Sequence, residues 1–261
     1  KTYLADDAPG QAARLELEVG LALLQEAFGG LGRADFRPLQ QADWAEAWKK
    51  GYTVQHIGQN LVVVPSWHTY TPRPGELIIH LDPGLAFGTG LHGTTRLCLA
   101  LLETYLAPGD RVLDVGTGSG ILAIAAVRLG ARRVLALDAD PQAVAVAREN
   151  AALNGVQDVV ELRWATLPGG EGSEWDAPVL KAPPEGPFDV AVVNILADVA
   201  VAMLGAGLPS WVRLGGLLVA SGLIQRQTPA VVRAMERAGL ALVGTHTSGE
   251  WVALVGRRGA A

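Results

Sequence analysis

Apolar positions along the chain change their period twice. Between Gly10 and Gly30 they recur every three to four residues. Ala13, Leu17, Leu21 and Leu24 form a stripe that Ala12, Val19, Leu23 and Ala27 widen. That spacing predicts one amphipathic helix, ended at Gly29-Gly30. A short strand near Arg33–Arg37 and a second helix over Gln41–Lys50 follow. Trp44 and Trp48, four residues apart on that helix, read as core or interdomain packing. From Thr53 the pattern shortens. Val54–Ile57 and Leu61–Val64 flank Gly58-Gln59-Asn60, which predicts a hairpin, and Leu77–Leu81 predicts a further strand.

From Arg111 short apolar runs alternate with helical patterns. The predicted strands are Arg111–Val115, Arg133–Asp138, Val159–Arg163, Phe188–Asn194 and Leu217–Ser221. The predicted helices between and after them are Ile121–Leu129, Pro141–Leu153, Ala197–Val212 and Pro229–Ala238. Val190-Ala191-Val192-Val193 has no polar alternation, as expected of a strand covered on both faces. Such alternation argues for a parallel sheet with helices on both sides. The end differs: Leu240–Thr247 and Trp251–Arg257 flank Ser248-Gly249, which predicts an antiparallel hairpin. Residues 166–187, rich in Pro, Gly and Glu, read as a surface insertion.

Composition narrows the class. Of 261 residues 49% are apolar, too many for a disordered chain. No apolar run reaches the roughly 18–20 residues of a membrane helix, so no membrane partner is expected. A net charge of −5 argues against a broad nucleic-acid face, because phosphate binding needs clustered cations. One Cys excludes a disulfide framework and a Cys-based zinc site, and a reducing, cytoplasmic setting is expected. The His at 56, 68, 80, 92 and 246 lack metal-ligand spacing, so no metal is expected.

The sharpest motif is Asp114-Val115-Gly116-Thr117-Gly118-Ser119-Gly120, between a strand and the start of a helix. Glycines there let a ligand approach the backbone. Asp138 ends the next strand, 22 residues after Gly116 (138 − 116), where an acid can reach the hydroxyls of a bound ribose. A dinucleotide fingerprint would carry a third glycine at position 121, which is Ile121 here. The GxGxG form fits instead a nucleoside without phosphates, such as S-adenosylmethionine. That the glycines only pack a helix onto a sheet is the lesser reading.

Asn194-Ile195-Leu196 ends the fourth strand. An Asn at a strand's carboxyl end can orient an attacking amine through its carbonyl, or it can cap the following helix; both readings are open at this point. The Gly-rich segment Asp82–Thr95 precedes the first strand and could fold over a ligand. Thr94 or Thr95 can cap the helix that begins there, and His92 reads as a loop or packing residue rather than a base.

These four segments together resemble the ribosomal-protein methyltransferases of the PrmA type, which methylate amino groups of large-subunit ribosomal protein eleven with S-adenosylmethionine. The likeness runs from Asp43-Trp44-Ala45-Glu46-Ala47-Trp48 through Val64-Pro65-Ser66-Trp67, the Asp82–Thr95 loop and Asp114–Ala126. It continues in Asp138-Ala139-Asp140-Pro141, Asn150-Ala151, Asn154-Gly155 and Asn194-Ile195-Leu196, and ends in Gly249-Glu250-Trp251 to Gly256-Arg257. The family's Pro after the loop His and Thr before it are replaced by Gly93 and Leu91.

The resemblance implies an α/β fold: a Rossmann-like seven-stranded methyltransferase sheet with an antiparallel C-terminal hairpin, plus a small N-terminal α+β region. Residues 1–40 would be a partial substrate-recognition region, residues 41–82 a linker helix with connecting strands, and residues 83–261 the methyltransferase domain. The family's recognition domain is ferredoxin-like, and the residues before Asp43 are too few for a full one. By likeness Thr95, Gly116, Asp138 and Asn194 contact S-adenosylmethionine, Gly118 joins them as part of the same turn, and Asn194 is also catalytic. The implied partner is the large-subunit ribosomal protein, and a monomer is expected. An N-methyltransferase for another protein or small-molecule amine, and a non-catalytic S-adenosylmethionine-binding module, are the alternatives.

Overall fold

The computed structural model describes residues 52–82, 88, 90–171 and 176–259, together with Arg14, Leu17 and Leu21. The chain divides into two compact units, Lys1–Gly51 and Tyr52–Ala261. In the first, Arg14, Leu17 and Leu21 are helical, in line with the amphipathic stripe. The expected strand near Arg33–Arg37 and the Gln41–Lys50 helix lie outside the described residues.

The second unit opens with a three-stranded sheet. β1 (Gln55–Ile57) pairs antiparallel with β2 (Leu61–Pro65), the predicted hairpin, and β3 (Leu77–Leu81) adds to β2 in parallel. Glu103 accepts from the amides of Gln59 and Asn60 at 2.6 and 2.7 Å and so pins the hairpin turn to the helix α1 (Gly93–Tyr105).

The larger sheet holds seven strands: β4 (Arg111–Val115), β5 (Arg133–Asp138), β6 (Val160–Trp164), β7 (Phe188–Asn194), β8 (Val212–Ile224), β9 (Leu240–Ser248) and β10 (Trp251–Arg258). Their spatial order is β6-β5-β4-β7-β8-β10-β9. All neighbouring pairs from β6 to β8 are parallel, and β10 runs antiparallel to both β8 and β9. The expected α/β fold with an antiparallel C-terminal hairpin is therefore observed. Connections go outward from β4 to β5 and β6, then jump back to β7 on its other side. That reversal opens a crevice at the carboxyl ends of β4 and β7, where open α/β sheets bind ligands.

The helices follow from burial. α2 (Ile121–Arg128) is apolar all round over Ile121–Ala126, and all six of those residues are buried. α3 (Pro141–Leu153) starts at Pro141 after Asp140, whose side chain accepts from the Gln142 amide. α4 (Ala197–Gly205) and α5 (Thr228–Arg237) complete the set. Val193, Leu204, Leu218 and Met235 belong to the central apolar cluster, which packs these two helices on the sheet.

Three expectations change. The helix expected over Ala197–Val212 stops at Gly205; Gly207 adopts φ 105°, and a 3-10 turn over Leu208–Trp211 leads into β8. The strand expected over Leu217–Ser221 begins instead at Val212. The strand runs through Arg213-Leu214-Gly215-Gly216 with a register shift against β7. The stretch 166–187 is not simply a surface insertion: Thr166 and Leu167 are buried, and Thr166 pairs with Val179. No helix among the described residues is long and apolar enough to cross a membrane.

Candidate active site

β4 delivers Asp114 and Val115 to the crevice, and the chain then turns through three glycines. Gly116, Gly118 and Gly120 have φ of 76°, 54° and 83°, a conformation side chains rarely tolerate. Each has a different neighbour. A Cβ on Gly116 would overlap Cγ2 of Ile195 and lie 3.8 Å from the Asn194 carbonyl oxygen. A Cβ on Gly120 would press on Ala147 of α3, so this glycine serves helix packing. The amides of Gly116 and Thr117 both donate to the Leu137 carbonyl at 2.9 Å, and that of Gly118 donates to Oδ2 of Asp138 at 2.8 Å. The turn is thus stitched along the end of β5.

Asp138 is half-buried, and Oδ1 accepts from the Asp140 amide at 3.0 Å. Burial raises its pKa, opposed by the amides of Asp140 and Gly118. Asp114 is fully buried, and its carboxyl is pushed up to about 7. Burial is the main cause; the Thr117 hydroxyl, donating to Oδ2 at 2.7 Å, pulls the other way, and the Asp138 carboxylate pushes further up. Behind Asp138, in register on β6, Trp164 is anchored by its indole N–H to the Ala139 carbonyl at 2.8 Å.

Asn194 ends β7 beside Ser221 of β8. The cap position of α4 is Leu196, and no side chain caps that helix, so the helix-cap reading of Asn194 fails. Instead Oδ1 of Asn194 is buried with no hydrogen-bond partner among the described residues. Oγ1 of Thr95, in the first turn of α1, is buried and unpartnered in the same sense. The cap of α1 is neither Thr94 nor Thr95 but His92, whose side chain accepts from the Thr94 amide. The His92 ring also packs on Trp251 with centroids 4.4 Å apart, which accords with a packing residue. Gly93 beside it leaves room for the same indole: a Cβ there would lie 2.8 Å from Cδ1 of Trp251.

Gly116, Gly118, Asp138 and Asn194 are therefore brought to one crevice. Gly88 and Gly90, shortly before the helix that carries Thr95, rest on the glycine turn. A Cβ on Gly88 would lie 2.9 Å from Oγ of Ser119, and one on Gly90 3.2 Å from Cδ1 of Ile121. Buried acceptors left unpaired cost free energy. The set here, a carboxylate and an amide carbonyl with a hydroxyl, fits a ligand rich in donors and positive charge. A nucleoside with sugar hydroxyls, an amino group and a sulfonium has that chemistry. One contributor escaped sequence reasoning, as did the role of a second. Gly222 (φ 84°) faces the Ile195 backbone so closely that a Cβ would overlap its carbonyl. Asn150 ties the turn to the incoming loop. In sequence it stood out only in Asn150-Ala151, one of the stretches that carry the resemblance, with no role attached.

Comparison with known proteins agrees with this geometry. The family model described as Ribosomal protein L11 methyltransferase (PrmA) matches residues 12–259. The ribosomal protein L11 methyltransferase of Chloroflexus aurantiacus is 46% identical over 269 residues, covering 99% of this chain and 81% of that one. That of Geobacter sulfurreducens is 46% identical over 256 residues, covering 97% and 79%. Among solved structures, a ribosomal protein L11 methylase from Lactobacillus delbrueckii subsp. bulgaricus matches with a TM-score of 0.66 at 34% identity, over 80% of this chain and 100% of that chain. A crevice at the β4–β7 reversal, a GxGxG turn tied to a strand-end acid, and a match over nearly the whole length place this chain in the ribosomal protein L11 methyltransferase family.

Proposed function

We propose that this chain transfers methyl groups from S-adenosylmethionine to amino groups of ribosomal protein L11, on lysine side chains, the N-terminal amine or both. The observation that carries the reading is the buried, unpartnered Oδ1 of Asn194 at the strand reversal, in a chain whose relatives bear that name. Residues 1–40 are assigned to substrate recognition and the sheet from β4 onward to the chemistry.

The chain's own residues bind and aim. Asp138 accepts the ribose hydroxyls, Gly116 and Gly118 let the nucleoside lie on the backbone, and Thr95 offers its hydroxyl from the opposite side. When bound, S-adenosylmethionine supplies an electrophilic methyl carbon on sulfur. Oδ1 of Asn194 accepts an N–H of the incoming amine and directs the nitrogen lone pair at that carbon. The N–C bond forms as the C–S bond breaks, the electron pair stays on sulfur, and the excess proton on nitrogen leaves to solvent. Positioning and exclusion of water supply the rate.

The amine must be neutral to attack. For a lysine of pKa ~10.4, deprotonation at pH 7 costs about 4.6 kcal/mol, against about 1–1.4 kcal/mol for an α-amine. An apolar mouth lowers that cost by disfavouring the ammonium form. Leu196, directly after the Asn194-Ile195 pair and 74% exposed, offers such a surface to a lysine stem.

Mass spectrometry of L11 incubated with this protein and isotopically labelled S-adenosylmethionine tests the reading. Label on L11 amines is expected. Labelling of free amines with none on L11 would move the function to another amine substrate, and cofactor binding without transfer to either would leave a binding module.

A further inference from the structure

Asn150 on α3 and Asn154, which caps the carboxyl end of that helix, bind backbone in the same way at two levels. Asn154 Oδ1 accepts from the His80 amide at 2.9 Å, and its Nδ2 donates to the His80 carbonyl at 2.6 Å. Asn150 repeats this on Asp82: Oδ1 accepts from the amide at 2.9 Å, and Nδ2 donates to the carbonyl at 3.0 Å. Each side chain thus imitates a neighbouring strand, giving β3 and the residue after it a ladder they would otherwise lack.

The levels differ in what else they hold. The second donor contact of Asn154 stays within α3, to the Asn150 carbonyl at 2.8 Å. That of Asn150 goes to the carbonyl of Ser119, inside the glycine turn, at 2.9 Å. Ser119 in turn donates its hydroxyl to the Gly88 carbonyl at 2.6 Å. Asp82 and Gly88, which flank residues 83–87, are therefore both fastened to one residue of the turn, and every group involved except Asp82 is buried. From Gly88 the chain runs directly to His92 and Thr95.

We infer that Asn150 is a positioning residue for the cofactor: through Asp82, Ser119 and Gly88 it sets the Thr95-bearing segment against the glycine turn, whereas Asn154 only fastens β3 to α3. This rests on the S-adenosylmethionine reading of the site. Asn150 touches neither the ligand nor the reacting atoms. It acts by holding a carbonyl and an amide of the loop at a fixed distance from the turn.

Asn154→Ala provides the matched control, because it removes the same strand-mimicking pair of bonds one turn away. Both variants and Ser119→Ala are compared by thermal unfolding, by calorimetry with S-adenosylhomocysteine, and by the KM for S-adenosylmethionine. Asn150→Ala and Asn154→Ala are expected to lower the unfolding midpoint to a similar extent. Asn150→Ala should raise the Kd on the order of tenfold, the equivalent of one buried hydrogen bond. KM should rise with it while kcat changes less, and Ser119→Ala should shift Kd the same way. Asn154→Ala should leave Kd within about twofold of the wild type. Equal Kd values for the two asparagine variants, or a kcat loss without a Kd change in Asn150→Ala, would overturn the inference. Ser119→Ala alone decides it if Asn150→Ala does not fold: an unchanged Kd there removes the link between loop and turn. Wild-type protein that fails to bind S-adenosylhomocysteine would reject the cofactor reading itself, a different result.

Discussion

The amide of Gly118 donates to Oδ2 of Asp138 at 2.8 Å, joining the glycine turn after β4 to the end of β5. This bond does more than close a gap between strands. An ionised carboxylate has about four acceptor sites. The amides of Gly118, Asp140 and Ala139 all bond to it, the first on Oδ2 and the second on Oδ1, and together they fix the carboxylate plane. The acceptor capacity that is left suits a ribose hydroxyl.

Replacing Asp138 by Ala is expected to weaken S-adenosylhomocysteine binding at least about tenfold, since a hydrogen bond to a charged group contributes about 1.5–3 kcal/mol. Isothermal calorimetry reads this directly. An unchanged affinity would remove the ribose from this carboxylate.

Asn194→Ala separates aiming from binding. Misplacing a reacting group by about 1 Å costs about a hundredfold. Single-turnover methyl transfer should therefore fall by about that factor, with the Kd for S-adenosylhomocysteine changed much less. Full activity in this variant would leave the unpartnered Oδ1 without a role in the reaction.

Gly222 holds the Asn194-Ile195 segment from the side of β8. Alanine there would adopt a left-handed conformation, which costs about 1–3 kcal/mol, and its methyl would meet the Ile195 carbonyl. Gly222→Ala should lower the unfolding midpoint and turnover together. By contrast, Gly155→Ala, also at positive φ (65°) but facing open space, should lower stability alone. Equal turnover in the two variants would separate Gly222 from the site.

Asp114 makes stability depend on pH. Its carboxyl titrates near 3.8 when solvated and near 7 when folded. Between those values the folded protein keeps a proton that the unfolded chain has released, so stability falls as pH rises through the window. Asp114→Asn, which keeps an acceptor for Thr117, should abolish that part of the slope. Unfolding midpoints from pH 5 to 8 should show the variant gaining on the wild type as pH rises, and parallel curves would contradict a buried proton on Asp114.

Legibility in the sequence varied with what each residue contacts. β4, β5 and β7 have the bounds their apolar runs predicted, because strands covered on both faces carry no alternation to blur them. The GxGxG turn and Asp138 were legible because spacing along the chain equals proximity across one βαβ unit. Asn194 was ambiguous, since an Asn after a strand serves a cap as well as a crevice; only the position of Leu196 at the helix cap separated the two. The ties made by Asn150, Ser119 and Gly222 were not legible, although the first two lie in stretches that carry the resemblance. Their partners are backbone atoms of distant segments, such as Asp82 and Gly88, and no side-chain pattern marks those. The N-cap of α1 was misread for a related reason: His92 is an unusual cap, favoured here by the Trp251 ring beside it.

β10 lies between β8 and β9 and runs against both. The half of the sheet that carries Gly118 and Asp138 can assemble from βαβ units close in sequence. The indole under His92, by contrast, arrives only when the β9–β10 hairpin, which carries Trp251, docks on β8 through β10. Contacts of such long separation slow folding. During refolding, the Asp138 half of the crevice should therefore form early, and the α1 cap should lock last, as that hairpin docks.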